Sequence, residues 1–286
     1  MTKKTQQIKT LVNGEESSSI DVTDRALHFG DGVFETIRIH QAKAVWWQQH
    51  IDRLLDGCRR LHFSTLPDVK TLQREANELL TGCDTGTLKI IVSRGNSSSG
   101  YAPATDSIPN RVLILTQGLR HQSKAEQGIV LGVCKQSISG SPQLSGIKHL
   151  NRLEQVLARI ECQDNDWDEG LMLDDRNRII EGCMSNLFVW QKDRLLTPQL
   201  EHTGIKGICR EKIILLAEEN GLKVEQCELD LGDLQHSDGL FVTNSLIGIW
   251  PVVQYKCQDI KEREFVINDN TRLLQKRLEA DICSAS

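Results

Sequence analysis

The chain has 286 residues, 39% hydrophobic and 26% charged, enough for two modest domains or one large one. Its 34 Lys and Arg against 39 Asp and Glu leave a formal charge of −5, and with no long basic run it is ill suited to nucleic acid, which needs a local surplus of cations. No apolar stretch is long enough to span a bilayer, and the polar first ten residues lead into no apolar leader segment, so the cytoplasm is the expected location and neither membrane nor nucleic acid an expected partner.

Residues 9–14 and 33–40 read as strands on either side of a turn-rich segment. In 48–62, Ile51, Leu54, Leu55, Cys58 and Leu61 recur at helical spacing, which predicts an amphipathic helix, and a second helix is expected over 69–80. Residues 87–93 and 111–116 are short β-branched and leucine-rich runs, hence strands, joined through a Gly- and Ser-rich loop at 94–101. The polar stretch 117–126 is expected to link two halves.

The second half opens with a strand at 129–134, then a loop at 137–146 and a helix from Asn151. Strands are expected at 169–173, 186–190, 195–197 and 240–243. A helix at 207–220 is stopped by Gly221, and 272–280 suits a closing helix. The nine cysteines (58, 83, 134, 162, 183, 209, 227, 257, 283) form no C-x-x-C, and their odd number excludes complete pairing within one chain. Reduced thiols are expected, and no metal site.

Four local features carry chemistry together, though each alone has a bland alternative. Asn151 with Glu154 three residues on reads as a capping box, so Lys148 stands just ahead of a helix start. The helix dipole and burial there favour a neutral amine, the form that condenses with an aldehyde; taken alone it is a surface lysine. Glu181 ends Ile179-Ile180-Glu181-Gly182, where a carboxylate can face the ring nitrogen of pyridoxal phosphate or merely occupy a turn. Gly207-Ile208-Cys209-Arg210 opens a helix whose bare N–H groups suit phosphate, and Thr243-Asn244-Ser245 follows a strand with hydroxyls that can complete a phosphate cup. Arg53 adds a cation suited to bidentate phosphate contact, with Asp52 or Asp56 as alternative partners.

Taken in order, these pieces resemble the class IV aminotransferase family, the pyridoxal-phosphate enzymes of fold type IV. The resemblance runs through Asp24-Arg25, Phe29-Gly30-Asp31-Gly32, His50-Ile51-Asp52-Arg53-Leu54, Lys148, Glu181-Gly182, Asn186-Leu187-Phe188 and Gly207 to Arg210, nearly the whole chain. It implies an α+β, two-domain architecture like that of the D-amino-acid aminotransferases. A small N-terminal α+β domain is expected over residues 1–118, and a larger barrel-like, cofactor-binding α/β domain over 119–286. A homodimer is implied too, with the 94–101 loop of one subunit near the other's site.

The run Lys148 to Leu157, with Arg152, is similar to the branch that converts 4-amino-4-deoxychorismate into 4-aminobenzoate and pyruvate in folate synthesis. A D-amino-acid aminotransferase is expected to carry an aliphatic residue at Arg152, and a branched-chain enzyme a tyrosine nearby. By this resemblance Lys148 is the Schiff-base lysine and proton-abstracting base, Glu181 pairs with the pyridine nitrogen, and Thr36 is a proton donor. Arg53, the backbone at Ile208 and Cys209, Ser245 and Asn186 hold the cofactor. Cys209 stands where relatives often have threonine, and Ser99 about where they carry a further arginine. The substrate carboxylates are therefore expected at Arg94, Tyr101, Arg111 or Arg152. The rival activity is amino-group transfer of the D-amino-acid or branched-chain type on the same fold; an idle cofactor-binding relative would lack the intact Lys148 and Glu181 set.

Overall fold

The computed structural model describes residues 8–97, 100–118, 122–257 and 262–285. The chain forms two compact units: Met1–Arg120 with Ile147–Asn151 and Ile282–Ser286, and His121–Gly146 with Arg152–Asp281. The Lys148 segment, Ile147–Asn151, groups with the first unit.

Along the first unit run β1 (Ile8–Val12), β2 (Glu15–Glu16), α1 (Arg25–Phe29), β3 (Gly32–His40), β4 (Lys43–Ala44), α2 (Trp47–Arg60), α3 (Val69–Leu80), β5 (Thr85–Ser93) and β6 (Asn110–Gln117). The six strands form one sheet in the order β2-β1-β6-β5-β3-β4. Period-2 alternation puts Val33, Glu35, Ile37 and Ile39 of β3 on the buried face. These aliphatics pack with Leu88 and Ile90 of β5, Leu113 and Leu115 of β6, and Ile51, Leu54 and Cys58 of α2, the stripe expected from helical spacing. Burying each such aliphatic side chain contributes roughly 1.5–3 kcal/mol. The tight hairpin β1–β2 turns on Asn13 and Gly14, both at positive φ, the usual chemistry of a two-residue turn; the expected strand at 9–14 therefore ends at Val12.

The second unit runs α4 (Gln122–Gln127), β7 (Ile129–Val133), α5 (Leu153–Asp164), β8 (Glu169–Leu173), β9 (Ile179–Gly182), β10 (Asn186–Gln191), β11 (Arg194–Pro198), α6 (Ile208–Glu219), β12 (Lys223–Cys227), α7 (Leu231–Gln235), β13 (Gly239–Asn244), β14 (Gly248–Lys256) and β15 (Arg263–Glu264). The closing helix α8 (Asp269–Ser284) starts in this unit. Nine strands make a mixed sheet in the order β12-β11-β10-β13-β14-β7-β8-β9, with β15 beside β14. β9, at one end of that order, also packs beside β10, so the sheet curls toward a barrel.

Of the strands absent from the expected elements, two have a clear physical reason. β14 contains Pro251, normally a mark against a strand, yet it pairs with Phe241 of β13, and the ladder toward β7 skips a residue between Val252 and Gln254. β12 is an outer strand with largely exposed side chains, so it has no apolar alternation to read. Among the described residues no helix is long and apolar enough to cross a membrane.

Candidate active site

In the first unit, Lys148 is held by backbone pairing. The Phe34 N–H donates to its carbonyl at 2.9 Å, the Leu150 N–H donates to the Gly32 carbonyl at 3.0 Å, and His149 bridges Val33. Glycine is required at 32, because a Cβ there would lie 2.6 Å from the Val92 oxygen and 2.7 Å from Leu150 Cδ1. Lys148 Nζ sits 4.4 Å from the centre of the Phe34 ring. Thr36 is half-buried on the same face of β3 as Phe34, roughly 7 Å further along the strand.

The capping box expected after Lys148 does not form. α5 starts at Leu153 with Arg152 as its N-cap. The Asn151 amide turns instead to the Gly30 carbonyl at 3.1 Å, and Glu154 accepts from the Ser139 N–H at 3.0 Å. The helix therefore begins one residue later than the Asn151 cap would have set it.

Behind β3 lies a charged cluster that the motifs did not disclose. Glu35, fully buried, accepts from His50 Nδ1 at 2.7 Å and from Arg53 Nε and Nη2 at 2.7 and 2.6 Å. Arg53 thus pairs with Glu35, eighteen residues away in sequence, and neither Asp52 nor Asp56 is its partner in these bonds; Asp52 accepts from Gln48, and Asp56 faces Arg60. Burial opposes the charge on Glu35, but Arg53 and the His50 hydrogen bond outweigh it and hold the carboxyl down at about 2. Burial also lowers His50 from its ordinary value, against the pull of Glu35.

Two of the arginines expected to meet substrate are engaged in the scaffold. Arg94 donates to both oxygens of Asp31 and to the carbonyls of Leu61 and His62. Arg111 forms a two-point pair with the buried carboxylate of Glu75. Asp31 also accepts from Arg25, which ties down the carbonyls of Gly100 and Tyr101. The Asp24-Arg25 motif is therefore loop carpentry, since buried Asp24 accepts from Ser93 Oγ and Asn110 Nδ2. Tyr101 is 88% exposed and leans on Phe29 with ring centres 5.4 Å apart. Ser99, the position of the expected missing arginine, lies outside the described residues.

In the second unit, Glu181 on β9 is buried, and its Oε2 accepts from the Ile205 N–H at 2.8 Å. Arg152 lies within electrostatic reach of Glu181 and Glu154; burial lowers its ordinary value, and the two carboxylates work the other way. Of the candidate arginines in this unit it is the one set beside Glu181, whereas Arg210 of the Gly207 motif is buried on Thr197, Pro198 and Gln226.

The start of α6 is bare backbone. Gly207 is its N-cap, and a Cβ there would fall 2.0 Å from Asn186 Oδ1. Asn186 Nδ2 donates to the Ile205 carbonyl at 2.9 Å, so Asn186 braces both this helix start and the loop that reaches Glu181. Ile208 and Cys209 occupy the first turn, and the Cys209 sulfur faces Thr243 Oγ1 at 2.9 Å. Ser245 lies in the turn between β13 and β14, which Asn244 closes by accepting from the N–H groups of Leu246 and Ile247.

The first unit thus pins a lysine beside an aromatic ring, and the second, built on a curled mixed sheet of the fold type IV kind, holds a buried carboxylate and a helix start that only glycine can open. The model of class IV amino-transferases matches residues 32–255, and the chain belongs to that family. It is similar to the aminodeoxychorismate lyase of Vibrio harveyi, 32% identical over 93% of this chain and 98% of that protein. The crystal structure of the 4-amino-4-deoxychorismate lyase from Pseudomonas aeruginosa matches with a TM-score of 0.88 and 35% identity, covering 96% of this chain and 99% of that one. A D-alanine aminotransferase of Listeria monocytogenes is 28% identical over 86% of each chain.

Proposed function

We propose that this protein is a pyridoxal-phosphate-dependent lyase, converting 4-amino-4-deoxychorismate into 4-aminobenzoate and pyruvate in the cytoplasm as a step of folate synthesis. The observation that carries the reading is the match along almost the full length of two lyases, at 32% and 35% identity, above the 28% found with the aminotransferase. The residues present suit the cofactor. Glu181 is a buried carboxylate of the kind that keeps a pyridine nitrogen protonated, and the α6 start has no room for a side chain where phosphate would meet backbone.

In this reading Lys148 carries the cofactor, and Arg53, the N–H groups of Ile208 and Cys209, Ser245 and the Asn186 brace serve its phosphate end. Bound pyridoxal phosphate supplies an aldehyde for amines and an electron-poor ring that stores negative charge. Lys148 Nζ would take the proton from the amine-bearing carbon. Thr36 Oγ1 gives a proton to the departing enolpyruvate. The ring left behind is aromatic, so the downhill drive lies in the substrate and the protein's task is to move these two protons. Arg152, Arg94, Arg111 and Tyr101 are the candidates for the substrate carboxylates, and of these Arg94 and Arg111 also hold Asp31 and Glu75.

The working unit in this reading is a homodimer. α5 turns Leu153, Val156, Leu157 and Ile160 outward at helical spacing, each at least 47% exposed, and an apolar helical face of that kind supports burial against a second copy.

The test is a coupled assay for 4-aminobenzoate and pyruvate, with Lys148→Ala as control. Both products are expected from wild type and neither from the variant. Rapid amino transfer to a keto acid from D-alanine or a branched-chain amino acid, with no 4-aminobenzoate formed, would overturn the lyase assignment in favour of an aminotransferase.

A further inference from the structure

Three cysteines distant in sequence converge in the second unit. Cys134 follows β7, Cys162 lies on α5 and Cys183 follows β9. All are buried; the Cys162 and Cys183 sulfurs are 3.7 Å apart, those of Cys134 and Cys183 4.0 Å, and all three lie within 4.8 Å of one another. Gly170 of β8 faces them: a Cβ there would fall 2.4, 2.5 and 3.0 Å from the sulfurs of Cys134, Cys162 and Cys183. A side chain at 170 would fill the space between the sulfurs, and glycine leaves it open. The proposed reaction uses none of these residues.

We propose that Cys134, Cys162 and Cys183 form a three-sulfur site for a soft monovalent cation, copper(I). Thiolate sulfur selects copper(I) over harder ions. With bonds near the about 2.3 Å of zinc–thiolate, an ion in the plane of three sulfurs holds them about 4.0 Å apart, close to the spacing already present. Zinc in a structural site takes four ligands, and among the described residues no fourth His, Cys, Asp or Glu joins this group.

Copper(I) displaces the protons of the three thiols, forming three S–Cu bonds with no change of oxidation state. Arg159 offsets part of the remaining negative charge.

The test uses the purified holoenzyme under anaerobic conditions, titrated with copper(I) buffered by a bathocuproine chelator. One tightly held equivalent is expected, with three sulfurs at about 2.3 Å by X-ray absorption. Cys162→Ala and Cys183→Ala should each weaken uptake by on the order of tenfold or more, whereas Cys283→Ser, at an exposed thiol, should leave it unchanged. Gly170→Ala keeps every thiol yet fills the space, and should also lose the ion. Undiminished uptake by folded Cys162→Ala or Gly170→Ala overturns the proposal. So does a wild-type shell of two sulfurs, or one containing nitrogen, a measurement that needs no variant to fold.

Discussion

Glu35 grips Arg53 at two points, Nε to Oε1 at 2.7 Å and Nη2 to Oε2 at 2.6 Å, from a position sealed from solvent. A guanidinium clamped in this way has a fixed plane, and a fixed plane is what two-point phosphate recognition needs. In the proposed cofactor site, Glu35 would be the positioning residue for Arg53.

Glu35→Gln removes the charge and one acceptor while leaving Arg53 in place. It is expected to cost about 3–5 kcal/mol of stability, the usual effect of breaking a buried pair from one side, and to raise the dissociation constant for pyridoxal phosphate by about tenfold, the worth of roughly 1.4 kcal/mol. An absorbance titration of apoprotein measures the second effect, and an unchanged constant would remove Glu35 from this role. The wild-type pair also has a pH signature. The folded carboxyl sits at about 2, below its ordinary 4.5, so its contribution to stability is complete above pH 4.5 and is lost as pH falls toward 2. His50, also lowered, acts in the same direction. Glu35→Gln should flatten the acid limb of the stability profile.

Gly207→Ala places a methyl group 2.0 Å from Asn186 Oδ1, a distance at which Asn186 or the start of α6 must move. Because Asn186 also braces the Ile205 carbonyl, the disturbance reaches the loop that hydrogen-bonds Glu181. The expected outcome is about tenfold or more weaker cofactor binding with a smaller change in melting temperature, about 4 °C or less for a chain of this length per kcal/mol lost. Gly207→Ala with wild-type cofactor affinity would show that phosphate does not meet the backbone here.

What could be read from sequence divides along chain distance. The roles proposed for Lys148, Glu181 and Gly207 rest on short local signatures: a lysine ahead of a helix, a carboxylate at a strand end and a glycine opening a helix. The strands at 87–93 and 111–116 and the α2 stripe were equally legible, since their apolar periodicity is set by a single buried face. What escaped depends on partners far along the chain. Asn151 looked like a helix cap and is captured by the carbonyl of Gly30. Arg94 and Arg111 looked available to substrate, but Asp31 and Glu75 hold them. Glu35 gave no sign that it would hold Arg53, and the cysteine spacing gave no hint that positions 134, 162 and 183 meet. Pairing between charges requires only proximity in space, which no local pattern records.

The outward apolar face of α5 makes a prediction about assembly. Val156→Asp and Leu157→Glu place charge on the face of Leu153 and Ile160 without touching the inner residues Ala158 and Cys162. If a second copy covers this face, the double variant should elute as a monomer by size exclusion with light scattering, where wild type elutes as a dimer. Helical content by circular dichroism should be retained. A wild-type dimer that survives both substitutions would place the contact elsewhere.

Glu169 works against stability over the opposite pH range from Glu35. It is fully buried on β8, accepting from the Gly170 N–H at 3.0 Å and from Ser185 Oγ at 3.1 Å, and burial raises its carboxyl from 4.5 to about 7 in spite of those bonds. The folded protein therefore binds the Glu169 proton more tightly than the unfolded chain. Relative to that protonated state, stability is full below pH 4.5 and declines as pH rises toward 7, by up to about 3 kcal/mol in all. Glu169→Gln keeps the shape and cannot ionise, so it should melt above wild type at pH 8 and within a few degrees of it near pH 4.5. Thermal melts of the two proteins at both values decide the matter. Equal melting temperatures at pH 8 would mean that Ser185 and the Gly170 N–H already satisfy the carboxylate, leaving it ionised at neutral pH without cost.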